Sequence, residues 1–287
     1  MKRHIPTLFL LAAAAALLAA AAGPARAGQE ARYLTVKGSD TMVHLASTWA
    51  EAFMKAHPGV EVSVTGGGSG TGIAALLNGT TDICAASRAI RPRELQLAAR
   101  RGIQPVATVV ARDAIAVVVN PANPVSTLTL EQLRKIFTGA VTRWNQVGGP
   151  DAPILVLSRD NSSGTFVFFL EHVLQKEDYT PRARFMPATS AIVQAAAADR
   201  WAIGYVGLGY AVEAKGRVKT VRIRKDAAAP AVAPSEAAVR DGSYPIARPL
   251  RFYTNGAPRG LAKAFVDFCL GPEGQRIVRE TGYVPVR

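Results

Sequence analysis

The chain has 287 residues, of which 49% are hydrophobic, enough for one large or two medium domains with a sizeable core. Its formal net charge of +13 favours anions, nucleic acid and anionic membranes alike. The arginines are scattered rather than blocked, and the longest basic cluster, RIRKD at 222–226, reads as a solvated strand edge, so no nucleic-acid motif stands out. Cys84 and Cys269 sit in the apolar stretches DICAAS and FVDFCLG, and His44, His57 and His172 lack ligand spacing. Buried free thiols and no metal site are expected.

The N-terminus reads as an export signal. Lys2 and Arg3 precede an alanine-rich apolar centre from Leu8 to Ala22, and Ala25-Arg26-Ala27 offers a small-x-small exit. The expected signal peptide is 1–27. The centre is short for a membrane span, and no cysteine near the cut suggests a lipid anchor. Removing Lys2, Arg3 and Arg26 from the 34 Lys+Arg leaves 31 against 21 Asp+Glu, a mature charge of +10. No other long apolar run follows, so the mature protein is expected to be soluble and periplasmic or secreted.

Strands and helices then alternate, which predicts an α/β fold with a largely parallel sheet. Three junctions share one chemistry. In the first, a strand ends at Lys37, Gly38-Ser39-Asp40-Thr41 turns, and a helix follows with apolar residues at Val43, Leu45, Ala46, Trp49, Ala50 and Phe53. In the second, VSVTGGGSGTGIAAL, the predicted turn is Gly66–Thr71 and the predicted helix Ile73–Leu77. In the third, a strand over Ile154–Leu157 enters a turn over Ser158–Gly164, and a helix starts near Thr165. Each turn delivers backbone N–H groups and hydroxyls to a helix N-terminus, where the first N–H groups lack partners and the dipole favours negative charge. Ser, Thr and Asp are also ordinary caps, so a single such junction says little; three in one chain point to an anion.

Other loop chemistries fail on the residues. A P-loop needs Gly-Lys-Ser/Thr, and no lysine lies between Lys55 and Lys135. A nucleophile elbow needs G-x-S-x-G, but around Ser69 the last position is Thr71. Gly70 to Ala75 matches G-x-G-x-x-A, yet the next strand ends in Ser87-Arg88 with no acidic residue to hold a ribose.

Arg88 follows the strand Ile83–Ala86 and Arg159 follows Ile154–Leu157, both at carboxyl ends of strands, where α/β proteins bind ligands. A guanidinium fork suits a tetrahedral oxyanion. The alternative is pairing with a local carboxylate, Asp40, Asp82 or Asp160. Asp40 itself either caps its helix, which its turn position favours, or accepts a hydrogen bond from a protonated ligand. The second use admits phosphate, which keeps a proton near neutral pH, and rejects sulfate, which keeps none.

The pieces KGSDTM, HPGVEVSVTGGGSGTGIAALLNGTTDICAASR, AVVVNPANPVSTLTLEQLRKIFTGAVTRWNQVGGPDAPILVLSRDNSSGTF, AIGYVGLGYA and DGSYPIARPLRFYTNG together resemble the exported phosphate-binding proteins of ABC transporters, of the short bacterial type, over nearly all of 33–287. The resemblance implies a two-lobed periplasmic-binding-protein fold of the second type, with mixed sheets, helices on both faces and the ligand in the inter-lobe cleft. Lobe 1 would take 28–113 and 224–287, and lobe 2 would take 114–223. The hinge would run near Ala114–Val119 and Val218–Ile223, with DAAAPAVAPSEAAV as a surface excursion. The resemblance implies ligand contacts at Thr41 and Met42 through the backbone, and at Ser69, Arg159, Ser163, Gly164 and Thr165. Ser39, Asp40, Ser87 and Arg88 complete the candidate set. Longer relatives place an aspartate where Arg88 follows Ser87, which leaves Asp40 as the nearest proton acceptor. The expected function is capture of inorganic phosphate and delivery to membrane permease subunits, by a monomer that is not an enzyme, needs no cofactor and binds no nucleic acid. Two other ligand classes stay open: another oxyanion (sulfate, molybdate, tungstate) on the same fold, or a phosphate ester hydrolysed through Ser69 or Ser163. An adhesin or signalling role on the same fold also stays open.

Overall fold

The computed structural model describes residues 32–286; the expected signal peptide lies outside the described residues. In chain order, β1 (Tyr33–Gly38) enters a 3-10 turn (Asp40–Met42) and α1 (Val43–Ala56). β2 (Glu61–Thr65) leads into α2 (Ser69–Leu77), and β3 (Ile83–Ala86) into α3 (Pro92–Arg100). The long β4 (Pro105–Val119) is followed by β5 (Thr127–Thr129), α4 (Leu130–Thr138), a 3-10 turn (Trp144–Val147), β6 (Leu155–Arg159) and α5 (Gly164–His172). Then come β7 (Arg184–Met186), α6 (Thr189–Ala198), β8 (Ala202–Gly207), α7 (Leu208–Glu213), β9 (Lys219–Thr220), β10 (Arg222–Arg224) and α8 (Glu236–Arg240). β11 (Ala247–Asn255), α9 (Gly260–Leu270) and α10 (Pro272–Glu280) close the chain.

The main sheet runs β2-β1-β3-β11-β4-β8-β6-β7, with β9 beside β4, and β10 pairs β5 apart from it. β1 is parallel to β2 and β3, and β6 is parallel to β7 and β8; β11 runs antiparallel to β3 and β4. β4 joins the two parts. It pairs β11 as far as Ala114 and β8 from Ile115 onward. Its run DAIAVVV is buried on both faces. Ile115, Val117 and Val119 meet Phe137, Trp144, Phe169 and Tyr205, while Ala116 and Val118 meet Leu157, Ile192 and Val206. That is why it reads as a continuous apolar run rather than an alternation.

A separate core lies under the first part of the sheet. The buried face of α1, Leu45, Ala46, Trp49, Ala50 and Phe53, packs on Leu34, Val36, Leu250, Phe252 and Phe265. Each large side chain so buried contributes about 1.5–3 kcal/mol. Cys269 belongs to this core and Cys84 to another, with Ile73, Leu76 and Tyr253; both thiols are free. Burial pushes the Cys84 thiol up to about 12, which leaves it inert. Among the described residues no helix is long and apolar enough to cross a membrane.

Three boundaries differ from the sequence reading. The second helix starts at Ser69, so Ser69, Gly70 and Thr71 belong to it rather than to the turn, and Gly72 lies within it. A Cβ on Gly72 would lie 2.5 Å from Lys37 O and 2.6 Å from Gly38 Cα. The glycine serves a close helix-on-strand approach, a use that a turn-based reading discounts. β6 extends through Arg159, which pairs with Met186 and is held inside the sheet. The chain also returns to the first core later than the expected crossing at Val218–Ile223. Val221, Ile223, Val239, Tyr244 and Ile246 all sit in the core of Ile115 and Val117. Tyr244 Oη donates to Ile115 O at 2.7 Å and Ile115 N–H to Ile246 O at 2.8 Å, so the return runs along β11.

Candidate functional site

The three strand-to-helix junctions meet at one place. Thr41 Oγ1 from the first and Thr165 Oγ1 from the third share a hydrogen bond of 2.8 Å. Ser69, the first residue of α2, stands 3.3 Å from Ser87, which follows β3, and the Ser87 N–H donates to Ser69 Oγ at 3.0 Å. Gly164 opens α5 directly against both serines; a Cβ on it would fall onto Ser69 Oγ and within 2.6 Å of Ser87 Oγ. The Gly70 N–H donates to Ser162 O at 2.9 Å and fastens the second junction to the third.

One hydroxyl of the cluster has both lone pairs engaged by the protein. Ser163 caps α5, and its Oγ accepts from the Thr165 N–H at 3.2 Å and the Phe166 N–H at 3.3 Å. A hydroxyl that already accepts twice has only its proton left to give. Ser69 Oγ accepts the Ser87 N–H at 3.0 Å and shares a 3.3 Å hydrogen bond with Ser87 Oγ in which either hydroxyl is able to donate. Among the described residues, the buried side-chain N and O atoms without a partner are Ser39 Oγ and Arg88 Nε, both in the sequence-derived set. With two helix N-termini beside them, these groups form a cluster of donors. Such a cluster suits a ligand rich in acceptors, such as an oxyanion.

Arg159, at the end of β6, is 1% exposed. Its Nη1 donates to Asp40 Oδ2 at 3.0 Å and Thr189 Oγ1 at 2.9 Å, its Nε to Met186 O at 3.1 Å, and its Nη2 to Pro187 O at 3.0 Å. Four of its five N–H groups are thus used, and one on Nη2 remains. Asp40 Oδ2 also accepts from the Thr189 N–H at 2.6 Å. The capping role favoured for Asp40 is not what the structure holds: no side-chain cap bond forms at this turn. A buried guanidinium and an N–H outside the turn take the carboxylate instead. The turn itself is fixed from behind, with Tyr210 Oη donating to Asp40 O at 3.0 Å and Tyr283 Oη to Thr41 O at 2.6 Å. Burial pushes both phenols up, so they stay donors. The Met42 N–H is engaged with Ser39 O at 2.9 Å, and the Met42 side chain lies in the first core.

Arg88 does pair with a carboxylate, but not with Asp40, Asp82 or Asp160. Its fork meets both oxygens of Glu94 at 2.7 Å. Asp82 holds the Thr35 N–H and Oγ1, and Asp160 holds the Ser162 N–H. Glu94 lies in the first turn of α3, where it also accepts the Arg91 N–H at 2.8 Å, and this local geometry brings it under Arg88. Burial alone would raise the Glu94 carboxyl; the Arg88 fork and the Arg91 N–H outweigh it and hold the group below its ordinary value.

Two residues at the centre have no place in the sequence-derived set. Arg248 on β11 donates to Asp113 Oδ2 through Nε at 3.1 Å and Nη2 at 2.9 Å, to Ser87 O through Nη1 at 3.1 Å, and to Thr165 Oγ1 through Nη2 at 3.0 Å. Asp113, on β4, is fully buried and accepts the Leu208 N–H at 2.9 Å. Burial pushes its carboxyl up against the pull of Arg248 and that N–H. The available signal is a lone acid inside the apolar run ARDAIAVVV, since a buried charge requires a partner.

Comparison with known proteins identifies the family. A family profile described as PBP superfamily domain matches residues 20–273. The phosphate-binding protein PstS of Pseudomonas aeruginosa is 33% identical over 270 residues, covering 88% of this chain and 83% of that protein. PstS of Bacillus subtilis is 33% identical over 258 residues, covering 88% and 80%. A Clostridium perfringens protein solved with bound phosphate superposes with a TM-score of 0.80 at 30% identity, over 89% of this chain and 100% of that one. The fold is the two-lobed type II architecture of such binding proteins. The chain belongs to the PBP superfamily and, within it, to the family of PstS phosphate-binding proteins.

Proposed function

We propose that the chain captures inorganic phosphate outside the cytoplasm and delivers it to the permease subunits of an ABC transporter, as a monomeric binding protein and not as an enzyme. The observation that carries this reading is the meeting of three helix-entry junctions whose buried hydroxyls and N–H groups converge, with Ser163 left only its proton to give and Ser39 Oγ and Arg88 Nε unpartnered. The phosphate-binding names of relatives that match most of the chain support the ligand. In this reading Ser39, Ser69, Ser163 and one hydroxyl of the Thr41–Thr165 pair donate. The Gly164 N–H at the N-terminus of α5 donates from the backbone, and Arg159 donates its remaining N–H. Arg88, next to Ser87, offers its unpartnered Nε.

Asp40 Oδ1 makes no hydrogen bond among the described residues and is the candidate acceptor for the proton that phosphate carries. The two cores supply the lobes: 33–113 with 247–286 in one, 114–246 in the other, closing on the anion about β4 and β11. The histidines give no hint of hydrolysis. His57 and His172 each bond a carbonyl one turn back and stack on Phe53 and Phe168.

Calorimetric titration of the chain from residue 28 with phosphate, sulfate and molybdate at pH 6 and pH 8 tests the reading. Tight phosphate binding with sulfate ignored is expected. Preference for sulfate or molybdate overturns the ligand, and absence of any binding overturns the function.

A further inference from the structure

Arg248 reaches the first and third junctions and Ser87 O without standing in any of the three junctions. Its guanidinium is held by the buried Asp113 carboxylate, where β4 passes from pairing β11 to pairing β8. One Nη2 proton goes to Asp113 Oδ2. The other is shared between Thr165 Oγ1 at 3.0 Å and Thr41 Oγ1 at 3.4 Å. Those two hydroxyls are 2.8 Å apart and come from the two halves of the molecule.

Counting protons decides what this does. Each threonine oxygen accepts from Arg248. The pair owns two hydroxyl protons, and one is spent between the two oxygens. The second has no acceptor inside the pair and is left to give away. Without Arg248, each hydroxyl is free to turn a lone pair toward the ligand, which repels an anion. We infer that Arg248, fixed by Asp113, is a positioning residue that sets the Thr41–Thr165 pair as a one-proton donor to the bound anion and joins the two halves through it. This rests on the anion reading of the site. Arg248 acts through the threonines, and its charge is balanced by Asp113, so the site stays nearly neutral and selects by hydrogen-bond direction.

The test is a double-mutant cycle on phosphate affinity, read by calorimetry on the chain from residue 28. One arm is Arg248→Met with Asp113→Leu, which removes both charges together and spares the fold an unpaired buried ion. The other arm is Thr41→Val with Thr165→Val; the last protein carries all four changes. Circular dichroism melting verifies that each is folded. Each arm is expected to weaken phosphate binding about 10- to 100-fold, as loss of a hydrogen bond to a charged group does. The fourfold variant is expected to be no weaker than the worse arm, because both arms remove the same directed proton. Multiplying losses, or an unchanged affinity in the Arg248 arm, overturn the inference and leave the pair a structural brace. Should the charge-free arm fail to fold, Arg248→Lys carries the same cycle, since an ammonium keeps the charge but not the fork. If the unmodified chain prefers sulfate or molybdate, the phosphate reading falls, and the cycle run with that anion still decides for or against Arg248. If it binds no anion, both fall.

Discussion

Arg88 and Arg159 each stand at the carboxyl end of a parallel strand, and each meets a carboxylate, yet their partners come from very different distances along the chain. Glu94 is six residues from Arg88, inside one corner of the first half, and its side chain is 23% exposed. Asp40 is 119 residues from Arg159, in the other half, and Arg159 also grips Met186, Pro187 and Thr189. The first pair braces a local turn. The second closes a long loop of chain and sets a junction of one half against the sheet of the other. Identical local sequence logic, an arginine after a strand, therefore yields a local brace in one place and a clasp between halves in the other.

The largest effect is expected at the clasp. Arg159→Ala removes a guanidinium that is almost fully buried and leaves Asp40 without its cation. Truncating one partner of such a pair costs about 2–5 kcal/mol. Phosphate affinity by calorimetry is expected to fall at least about 30-fold at the low end of that range. Arg88→Ala is expected to cost less. Equal losses in the two variants would mean that both arginines do one job, and the contrast between brace and clasp fails.

A smaller effect is expected where the halves touch without charges. Gly164→Ala places a Cβ onto Ser69 Oγ and 2.6 Å from Ser87 Oγ, across the seam. Forcing a methyl into a filled site costs about 1–3 kcal/mol. Since the clash arises only when α5 meets α2, the change is expected to weaken phosphate binding while the melting temperature of the ligand-free protein drops little. A fall in melting temperature with affinity intact would place the seam in the fold rather than in closure.

What the sequence discloses follows the same division. The three junctions are legible because small polar residues before an apolar helical period are local signals, and so are the strands β1, β3 and the run in β4. Contacts formed at long separation are not legible. Asp113 and Arg248 lie 135 residues apart, on strands whose pairing no local pattern announces. A lone acid in ARDAIAVVV announces that a cation is needed but not which of many arginines supplies it. Glu94 was hidden for a different reason: the nearby aspartates look equally suitable until the first turn of α3 is built. Gly70 reads as a turn residue because the glycines of a helix packed close on a strand look, locally, like those of a turn.

The smallest effect is expected at the local brace, and its pH dependence separates it from the clasp. Arg88 and the Arg91 N–H hold Glu94 below its ordinary value of 4.5 in the folded protein, against the opposing effect of burial. A carboxyl whose folded value is lowered contributes stability that is fully present above its unfolded value and is lost as pH falls through the folded one. Glu94→Gln removes that contribution. The difference in unfolding free energy between the unmodified protein and Glu94→Gln is therefore expected to be constant from pH 5 to 8 and to shrink below pH 4.5. Phosphate affinity at pH 7 is expected to change little, because the pair is confined to one half and Arg88 keeps its place against Ala89 O at 2.9 Å. Urea unfolding at four pH values, with calorimetry alongside, measures both. A large loss of affinity would show that Glu94 aims Arg88 at the anion, which would turn the brace into part of the binding site.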